Sequence, residues 1–358
     1  MKKYALFLLL AAFFLPINLM AQYNGYKDWP RDERAFSGKF FLTDEAMLLA
    51  DRVMDFQLKS GAWPKNVYYP QLTEDNVSEI KKKFREETLS TVENSATLAE
   101  IHFLSNMYQA TAQRRFRKAA EQGIDYLLRT QYDNGGWPTC SPAAREEDRQ
   151  ISFAGGTQVN VLLLLNDIIQ HKEPYTYLAD DLVQQCKDAF GKGVVFILNA
   201  QIRQNGQPTI WCAQYGADSH VACAASPMDP VALAPAESAT ITLLLMGISN
   251  PDAVMKAAIE GAVAWFQQAA IKQQKRENYI NKDGKRDFRL VTDVHAADMW
   301  AKFYGVQDNQ PFFTDQDGEQ RASFAELSYP RRTGVSWYTN EPQKVLRRYE
   351  RWKTKTAQ

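Results

Sequence analysis

Side chains that could transfer a proton are concentrated in one segment, residues 214–229 (QYGADSHVACAASPMD). The segment holds Tyr215, Asp218, His220 and Asp229, and His220 is one of only four histidines in the protein. A neutral imidazole accepts a proton near neutral pH, which makes His220 the first candidate for a general base. An ordinary position in a surface loop is the alternative interpretation of this histidine.

Tyr215 and Lys302 are two further candidates for a catalytic base. An ionised tyrosine needs positive charge nearby, and Lys65, Lys302 or Arg331 would supply that charge. Lys302 can accept a proton itself only where a basic neighbourhood makes it neutral. These groups are spread along the sequence, so any joint chemistry depends on the elements that bring them together.

A phrase that occurs twice indicates what those elements are. Residues 57–66 read QLKSGAWPKN and residues 131–140 read QYDNGGWPTC, so both contain Gln, three residues, Gly, one residue and Trp-Pro. Residues 201–214 (QIRQNGQPTIWCAQ) are a degraded third copy. Each copy follows an amphipathic stretch, which predicts helical hairpins arranged as a toroid of inner and outer helices. Trp63 and Trp137 would then line a concave surface that suits sugar rings, or plug their loops as core residues.

The sequence as a whole predicts an all-α fold with few short strands. Apolar residues recur at helical spacing, and Thr43 is a predicted N-cap for a helix over residues 43–59. The predicted hairpins pair residues 94–112 with 114–130, 157–171 with 177–200, and 237–248 with 251–270. Strand patterns are scarce, and short strands are expected near residues 271–292.

Composition and cysteine spacing exclude several classes of function. The 42 basic and 42 acidic residues give a net charge of zero, so nothing favours a nucleic acid or an anionic membrane as a partner. The four cysteines lack the tight paired spacing of a structural zinc site. They allow three disulfide pairings, with Cys212 and Cys223 the nearest pair in sequence, and the pairing stays open.

The N-terminus has the pattern of a secretory signal peptide. It begins MKK, continues with the apolar run YALFLLLAAFFLPINLM and reaches Ala21-Gln22, which predicts cleavage after residue 21. No later apolar run is long enough to span a bilayer. Because no Ser/Gly/Pro-rich linker follows, we expect residues 22–358 to form a single exported domain, in the periplasm or secreted.

Several longer phrases occur along the chain in a fixed order: SGAWPKN, TVENSATLAEIHFL with YQAT, QYDNGGWPT, ISF with VNVLLLLND, IWCAQ, ESATITLLLM, GAVAWF, MWAKFY and RRTGVSWYTNEP. Through these phrases the chain resembles, from about residue 40 to residue 346, the family 10 pectate lyases, or pectic acid lyases. The resemblance implies an (α/α)3 toroid with a cleft built from its loops. It also implies an enzyme whose partner is an acidic poly- or oligosaccharide.

The chemistry implied by the resemblance is β-elimination. Members of the family remove the C5 proton of polygalacturonate, which becomes acidic when the uronate carboxylate is neutralised, and the O4 leaving group then departs. Calcium and basic side chains bind the carboxylates, and an arginine is the base. The developing negative charge needs cations at the carboxylate, and the base must lie within hydrogen-bond reach of the C5 proton.

Part of the family's substrate-binding equipment is present. The matching positions are Lys65, Asn66, Glu93, Asn94, Lys302, Arg331, Trp337 and Tyr338. Glu93 stands where the family has aspartate, and Lys302 stands where it has arginine. Lysine keeps the positive charge but lacks the bidentate fork of a guanidinium.

Three other family positions have changed. Gly155 stands in place of a calcium-site aspartate, and calcium needs several oxygen ligands, so we predict no strong calcium site and no other cofactor. Gln316 replaces the arginine base, and residues 226–229 (SPMD) replace a substrate-binding RAYE segment. Losses concentrated at one place indicate a site adapted to another substrate or reaction, or a protein that only binds.

Three functions stay open on the sequence alone. The first is a lyase that cleaves a uronate-containing poly- or oligosaccharide such as pectate by β-elimination. The second is an oligosaccharide dehydratase that removes water from a non-reducing-end uronate, as on ulvan-type oligosaccharides. The third is a non-catalytic glycan-binding protein. The glycan itself, its linkage and the oligomeric state are not fixed by the sequence.

Overall fold

The structure, a computed structural model, describes residues 28–85 and 89–356 of the 358-residue chain. The predicted signal peptide, residues 1–21, lies outside the described residues. About half of the described residues are helical and the strands are short, in agreement with the mainly helical prediction. Across these residues, no helix has the length and apolar character needed to cross a membrane.

The helices are α1 (Trp29–Asp32), α2 (Asp44–Asp55), α3 (Glu74–Lys83), α4 (Leu98–Thr111), α5 (Arg114–Thr130), α6 (Glu146–Arg149), α7 (Thr157–Ile169), α8 (Asp180–Ala200), α9 (Pro235–Gly247), α10 (Ala253–Ala269), α11 (Tyr329–Gly334) and α12 (Pro342–Thr356). The strands are β1 (Ile151–Ser152), β2 (Arg203–Gln204), β3 (Gln207–Pro208), β4 (Gln214–Tyr215), β5 (Gln274–Ile280), β6 (Arg286–Thr292), β7 (Trp300–Ala301), β8 (Phe303–Tyr304), β9 (Pro311–Thr314), β10 (Gln320–Arg321) and β11 (Tyr338–Thr339). β5 and β6 form an antiparallel hairpin where the sequence predicted short strands.

Three helical hairpins form the body of the protein. α4 packs against α5, α7 against α8 and α9 against α10, while α7 also contacts both α4 and α9. The helices α4, α7 and α9 therefore form an inner row, with α5, α8 and α10 outside it. The buried residues of α9 lie on most sides of the helix, as expected for a helix that other elements enclose.

Local chemistry sets the helix boundaries. Thr43 caps α2 as predicted, because its Oγ1 accepts a hydrogen bond from the backbone N–H of Ala46 (3.2 Å). α4 begins at Leu98, later than predicted, because Asn94 and Thr97 have φ of 51° and 68°. A right-handed helix does not accommodate a positive φ.

The glutamine of the repeated phrase ties each loop to the next outer helix. Gln57 Nε2 donates to Gly61 O (2.8 Å) in its own loop and to Ala119 O (2.9 Å) on α5. Gln131 makes the same two kinds of contact to its own loop and to α8, and Gln201 makes them to its loop and to α10. The repeat in the sequence is therefore a repeat of connections between successive hairpins.

The tryptophan of each loop copy belongs to the core. Trp63, Trp137 and Trp211 are 0%, 1% and 0% exposed. Each indole N–H donates to a carbonyl of the preceding helix, as Trp63 Nε1 does to Val53 O (2.7 Å). The predicted Trp-lined surface is therefore wrong, because these rings fill the interior and cannot stack on a sugar.

The glycine of the phrase allows the loop to approach the neighbouring helix. Gly61 has φ of 92°, and a Cβ there would lie 2.3 Å from the carbonyl oxygen of Gln122. Gly135 has φ of 98°, and a Cβ there would lie 2.1 Å from the carbonyl oxygen of Lys192. Only glycine combines this backbone with this contact.

The cysteines are free thiols in the structure. Cys140, Cys186 and Cys212 are buried, and Cys223 is partly buried. Burial raises the pKa of Cys186 and of Cys212 to about 12, so these two thiols are unreactive at neutral pH. The nearest pair in sequence, Cys212 and Cys223, is not joined.

Candidate functional site

The N-terminal ends of the inner helices meet at one end of the protein. The turn Glu93–Ser95 before α4 packs against the turn Ala154–Gly156 before α7, and this second turn packs against α9. A hydrogen bond from Asn160 Nδ2 to Ser95 Oγ (2.9 Å) joins α7 to the first turn. We call this continuous surface, which extends to the first turn of α9, the rim.

The turn before α4 gathers four of the predicted substrate-binding residues. Lys65 Nζ donates to Glu93 Oε2, and Asn94 Nδ2 donates to Asn66 Oδ1 (3.1 Å). Asn66 and Asn94 have φ of 65° and 51°, a conformation that asparagine tolerates better than most residues. The fold brings these four side chains together, and their contact with a substrate stays a prediction.

The turn before α7 has a similar backbone but carries no polar side chain. Gly155 and Gly156 have φ of 61° and 77°, and a Cβ on Gly155 would meet none of the described atoms within 4 Å. The two turns contain a single carboxylate, Glu93, which Lys65 already binds. Calcium takes roughly six to eight oxygen ligands, and the described part of the chain has no group of three or more His, Cys, Asp or Glu side chains suited to a metal. The donors at the rim do not fit calcium.

Charged side chains also meet beyond α9. Lys302 Nζ lies 2.6 Å from Asp229 Oδ1 and 6.0 Å from the ring centroid of Trp337. The guanidinium of Arg331 lies 5.0 Å from the same ring, an arrangement that stabilises both cations. We call Asp229, Lys302 and Arg331 the Lys302 group.

The two aromatic residues predicted to bind substrate have different surroundings. Trp337 is buried and donates from Nε1 to Arg331 O (2.8 Å). It therefore supports the Lys302 group and offers no exposed face to a sugar, contrary to its predicted role. Tyr338 is partly buried beside Phe313 and Phe324, and burial raises the pKa of its hydroxyl.

The two altered segments of the sequence lie against each other beside Arg331. Thr314 Oγ1 donates to Met228 O (2.7 Å), and Arg331 Nε donates to Thr314 O (3.0 Å). Gln316 is exposed two residues further along. The changes at residues 226–229 and at Gln316 therefore belong to one place in the fold, next to the Lys302 group.

Glu237, in the first turn of α9, is a candidate that the sequence analysis missed. Burial raises the pKa of its carboxyl group, Lys302 lowers it and Asp229 raises it, with a raised value as the result. A partly buried carboxyl group between the rim and a pair of charges suits proton transfer. Acidic residues are common in first helical turns because they favour the helix dipole, so its position in the sequence did not single it out.

Two of the three predicted catalytic residues lie outside the Lys302 group. Tyr215 is fully buried, donates to Ala200 O (2.8 Å) and accepts from Cys212 N (2.9 Å). Burial raises its pKa well above the ordinary value, so the structure contradicts Tyr215 as a base. The His220 ring packs at a tilt against Phe196 of α8 (ring centroids 5.1 Å apart), and its Nε2 is buried without a hydrogen-bond partner among the described atoms. Its ring thus packs against α8, and its predicted role as a base stays a prediction.

A repeat in the sequence could have identified Tyr215 as structural. Trp211 precedes Tyr215 by the same spacing with which Trp300 precedes Tyr304. The hydroxyl of Tyr304 makes the same two backbone hydrogen bonds, at 3.0 and 3.1 Å. Tyr215 and Tyr304 therefore have the same structural role in two copies of one motif.

Comparisons with known proteins agree with this geometry. Residues 57–346 match the pectic acid lyase family. A family 10 polysaccharide lyase from Cellvibrio cellulosa is similar in structure, with a TM-score of 0.75 and 26% identity over 90% of this chain and 94% of that chain. A mutant of a family 10 polysaccharide lyase from Cellvibrio cellulosa, in complex with trigalacturonic acid, has a TM-score of 0.75 and 25% identity over 90% of this chain and 95% of that chain. No curated protein sequence matches.

Proposed function

The chain belongs to the pectic acid lyase family, and from this premise we propose that it breaks down a uronate-containing poly- or oligosaccharide by β-elimination. The family match and the structural neighbours support a polysaccharide lyase, an enzyme that breaks a carbon–oxygen bond. One neighbour is in complex with trigalacturonic acid, which supports an acidic oligosaccharide as the substrate. The observation that carries the proposal is the Lys302 group, where Lys302 and Arg331 lie beside one tryptophan ring and Lys302 binds the carboxylate of Asp229.

In this proposal Lys302 and Arg331 neutralise the uronate carboxylate of the substrate. Neutralisation stabilises the negative charge that develops when the C5 proton leaves. Lys302 suits this task better than it suits proton abstraction, because it already donates a hydrogen bond to the carboxylate of Asp229 (2.6 Å). The predicted catalytic role of Lys302 thus becomes one of charge stabilisation.

Glu237 takes the C5 proton in the same proposal. The electrons of the C5–H bond form the C4–C5 double bond, and O4 departs with the electrons of the C4–O4 bond and takes up a proton from water. A carboxylate whose pKa is raised is a stronger base than an ordinary one. Glu237 lies in the first turn of an inner helix, and its carboxyl group interacts electrostatically with Lys302.

Absorbance of the 4,5-unsaturated uronate product tests this function on polygalacturonate and on ulvan oligosaccharides. Glu237→Gln should lower kcat by about a hundredfold or more. The matched control is Glu260→Gln, at an exposed position of α10, which should leave kcat unchanged. An unaltered kcat in a folded Glu237→Gln protein would remove Glu237 from the mechanism. A lack of unsaturated product from every uronate substrate would contradict the lyase.

A dehydratase is the second candidate, and the altered segments beside Arg331 favour it. Residues 226–229 and Gln316 have lost the basic groups that the family uses on a long substrate. A dehydratase removes the same C5 proton but expels O4 as water, so its product absorbs while the chain stays intact. Mass spectrometry separates the two reactions, and a pure binding protein would give neither product.

We also propose that the reaction needs no added calcium and that Lys65, Asn66, Glu93 and Asn94 bind the glycan along the rim. The bare turn at Gly155 and the ion pair at Glu93 support the first statement. Product formation that is insensitive to a chelator is the expected result. Loss of product in chelator, restored by calcium, would contradict it.

The finer architecture and the location are proposals of the same kind. Three hairpins with a shared loop chemistry support an (α/α)3 toroid formed by one domain over residues 22–358. The apolar N-terminus supports export after cleavage at Ala21-Gln22, to the periplasm or beyond. N-terminal sequencing of the exported protein tests the cleavage site directly, and export of an uncleaved chain would contradict it.

A further inference from the structure

The antiparallel hairpin of β5 and β6 carries an excess of positive charge. Residues 272–289 (KQQKRENYINKDGKRDFR) contain seven lysines and arginines against three acidic residues, although the whole chain has a net charge of zero. Two of the three acidic residues are already paired, Glu277 with Arg289 and Asp287 with Arg332. The hairpin is therefore a local cationic surface on a neutral protein.

The two faces of the hairpin have different surroundings. Arg276 lies opposite Leu290 and Arg286 lies opposite Ile280. Because side chains alternate along a strand and opposite residues share a face, both arginines belong to one face. Arg276, Arg286 and Ile280 are exposed, whereas Asp287, on the other face, is buried. The face with the two arginines, which we call the arginine face, is therefore open to a partner.

Neither arginine of this face is neutralised by a carboxylate. Arg129, also exposed, binds the carboxylate of Asp125 at 2.6 Å, whereas Arg276 and Arg286 form no ion pair with any residue that the structure describes. The guanidinium of Arg276 lies 3.4 Å from the ring centroid of Phe288. This stacking holds the cation in place and does not use its N–H donors. A held guanidinium without an anionic partner suits a ligand that carries carboxylates.

The hairpin is attached to α11, the helix that carries Arg331. The guanidinium of Arg332 donates to Asp287 Oδ1 and Oδ2 at 2.7 and 2.8 Å. The hydroxyl of Tyr329 donates to Arg286 O (3.0 Å). The cationic hairpin therefore adjoins the same helix that supplies an arginine to the proposed site.

The spacing of the two arginines favours a polymer over a small anion. Arg276 and Ile280, which lies opposite Arg286, are four residues apart on β5. At about 3.3 Å per residue, the two arginines lie about 13 Å apart along the strand. One carboxylate cannot contact both, whereas a chain with a carboxylate on every sugar can. Asn278, exposed on the same face between them, adds an amide that binds hydroxyl groups.

We propose that the arginine face is a second binding surface for the acidic glycan, whose carboxylates bind Arg276 and Arg286 while another part of the same chain occupies the Lys302 group. This inference rests on the proposed function, because it takes the same glycan as its ligand. The surface adds affinity for long chains and takes no part in breaking a bond. Added salt weakens this binding, since exposed charges are screened.

Retardation of the protein in a native gel that contains polygalacturonate, measured against a gel without polymer, tests the surface. Arg276→Gln combined with Arg286→Gln should weaken the affinity about tenfold, because it removes two exposed charge contacts. The matched control, Arg347→Gln combined with Arg348→Gln on α12, removes the same charge from another exposed pair and should bind like the wild type. Arg276→Lys combined with Arg286→Lys should recover part of the affinity, because lysine keeps the charge but lacks the fork.

The outcomes separate this surface from the lyase. Unsaturated product from the wild type, with equal retardation of the wild type and the glutamine variant of the hairpin, would overturn the surface and leave the lyase standing. Tenfold weaker retardation of the hairpin variant, with an unaffected α12 variant and no unsaturated product from any uronate substrate, would support the surface and overturn the lyase.

Two further results would also overturn the surface. Equal losses in the hairpin and α12 variants would mean that only the net charge of the protein matters. Binding to phosphatidylserine vesicles through the two arginines, without retardation by polygalacturonate, would make an anionic membrane the partner in place of the glycan.

Discussion

Two turns of the rim, Glu93–Ser95 and Ala154–Gly156, precede neighbouring inner helices and differ in their side chains rather than in their backbones. Asn94 and Ser95 have φ of 51° and 59°, and the two glycines of the second turn have φ of 61° and 77°. A side-chain-bearing residue at positive φ costs roughly 1–2 kcal/mol relative to an ordinary conformation. The second turn avoids that cost, and the first turn does not.

The first turn keeps its strain because neighbouring side chains hold it. Asn94 donates to Asn66 Oδ1 (3.1 Å), and Ser95 accepts from Asn160 (2.9 Å). Strained residues persist where the surrounding structure determines them, and they often belong to functional sites. The difference is that the turn before α4 carries polar side chains held by their neighbours, while the turn before α7 supplies only a similar backbone path.

The largest expected difference between α4 and α7, the helices that follow these turns, is in how each makes the stability of the fold depend on pH. Glu100 of α4 has Val161 as its counterpart on α7, since Thr97 and Gln158, three residues earlier, both accept the backbone N–H of a loop tryptophan. Burial raises the pKa of Glu100 from 4.5 to about 8. Between these values the unfolded chain loses the proton and the folded chain keeps it, so stability falls as pH rises, by about 5 kcal/mol in all.

Urea unfolding at pH 5 and pH 8 measures this contrast. The free energy of unfolding of Glu100→Gln should change little between the two pH values, because an amide does not ionise. That of Glu260→Gln should fall as much as that of the wild type. The titratable groups nearest to Glu100 are Tyr69 and Glu33, and neither is altered in these variants. Equal declines in the wild type and in Glu100→Gln would show that Glu100 is not the source.

Breaking the ion pair of the first turn should have the next largest effect. Lys65→Met removes a cation from the proposed glycan path and leaves Glu93 without its partner, so kcat/KM on a uronate substrate should fall by about a hundredfold. Lys65→Arg keeps the positive charge and should recover part of the lost kcat/KM. The matched change in the second turn, Ala154→Ser, should stay within about twofold. Equal losses in the two turns would end the functional distinction between them.

Replacing the strained asparagine should separate stability from activity. Asn94→Ala loses the hydrogen bond to Asn66 and keeps the positive φ, so it should destabilise the fold by about 2 kcal/mol in urea unfolding. Glycine adopts a positive φ without strain, so the free energy of unfolding of Asn94→Gly should stay within about 1 kcal/mol of the wild-type value. Its activity should still be lower. If Asn94→Gly kept full activity, the polar side chain would have no functional role.

Placing a carboxylate in the bare turn should have the smallest effect. Gly155→Asp adds a side chain where the described structure leaves open space, and aspartate tolerates the positive φ. Added calcium should then raise the melting temperature of the variant by a few degrees through binding to the folded state, and it should leave the wild type unchanged. An equal shift in both proteins would place calcium elsewhere.

The hairpins could be predicted because their information is local. Apolar spacing located α5, α8 and α10 closely, and the loop phrase marked where each hairpin begins. The start of α4 could not be located in this way, because Asn94 and Thr97 have positive φ and are held by partners from another segment, Asn66 and Trp63. Apolar spacing carries no record of such partners.

The candidate site was harder to predict than the fold. Trp63 and Tyr215 have both an apolar ring and a polar atom, so their types alone suited either the core or a binding surface, and the core was correct for both. The resemblance to a family predicted that Lys302 and Arg331 belong to one site. In the structure, both cations lie beside the ring of Trp337. The contact between Lys302 and Asp229 joins residues 73 positions apart. The raised pKa of Glu237 comes first from burial and then from its charged neighbours, and neither can be located from the sequence alone.

The glutamines of the repeated phrase also bear on how the protein opens. Gln57 connects the loop after α2 to α5, Gln131 connects the loop after α5 to α8, and Gln201 connects the loop after α8 to α10. No hairpin can detach without breaking a hydrogen bond of its neighbour. Backbone amides in successive hairpins should therefore exchange with solvent at similar, slow rates, because the opening of one requires the opening of the next. In the proposed function, motion that admits a glycan would then fall to the rim turns and the altered loops, which these glutamines do not bind.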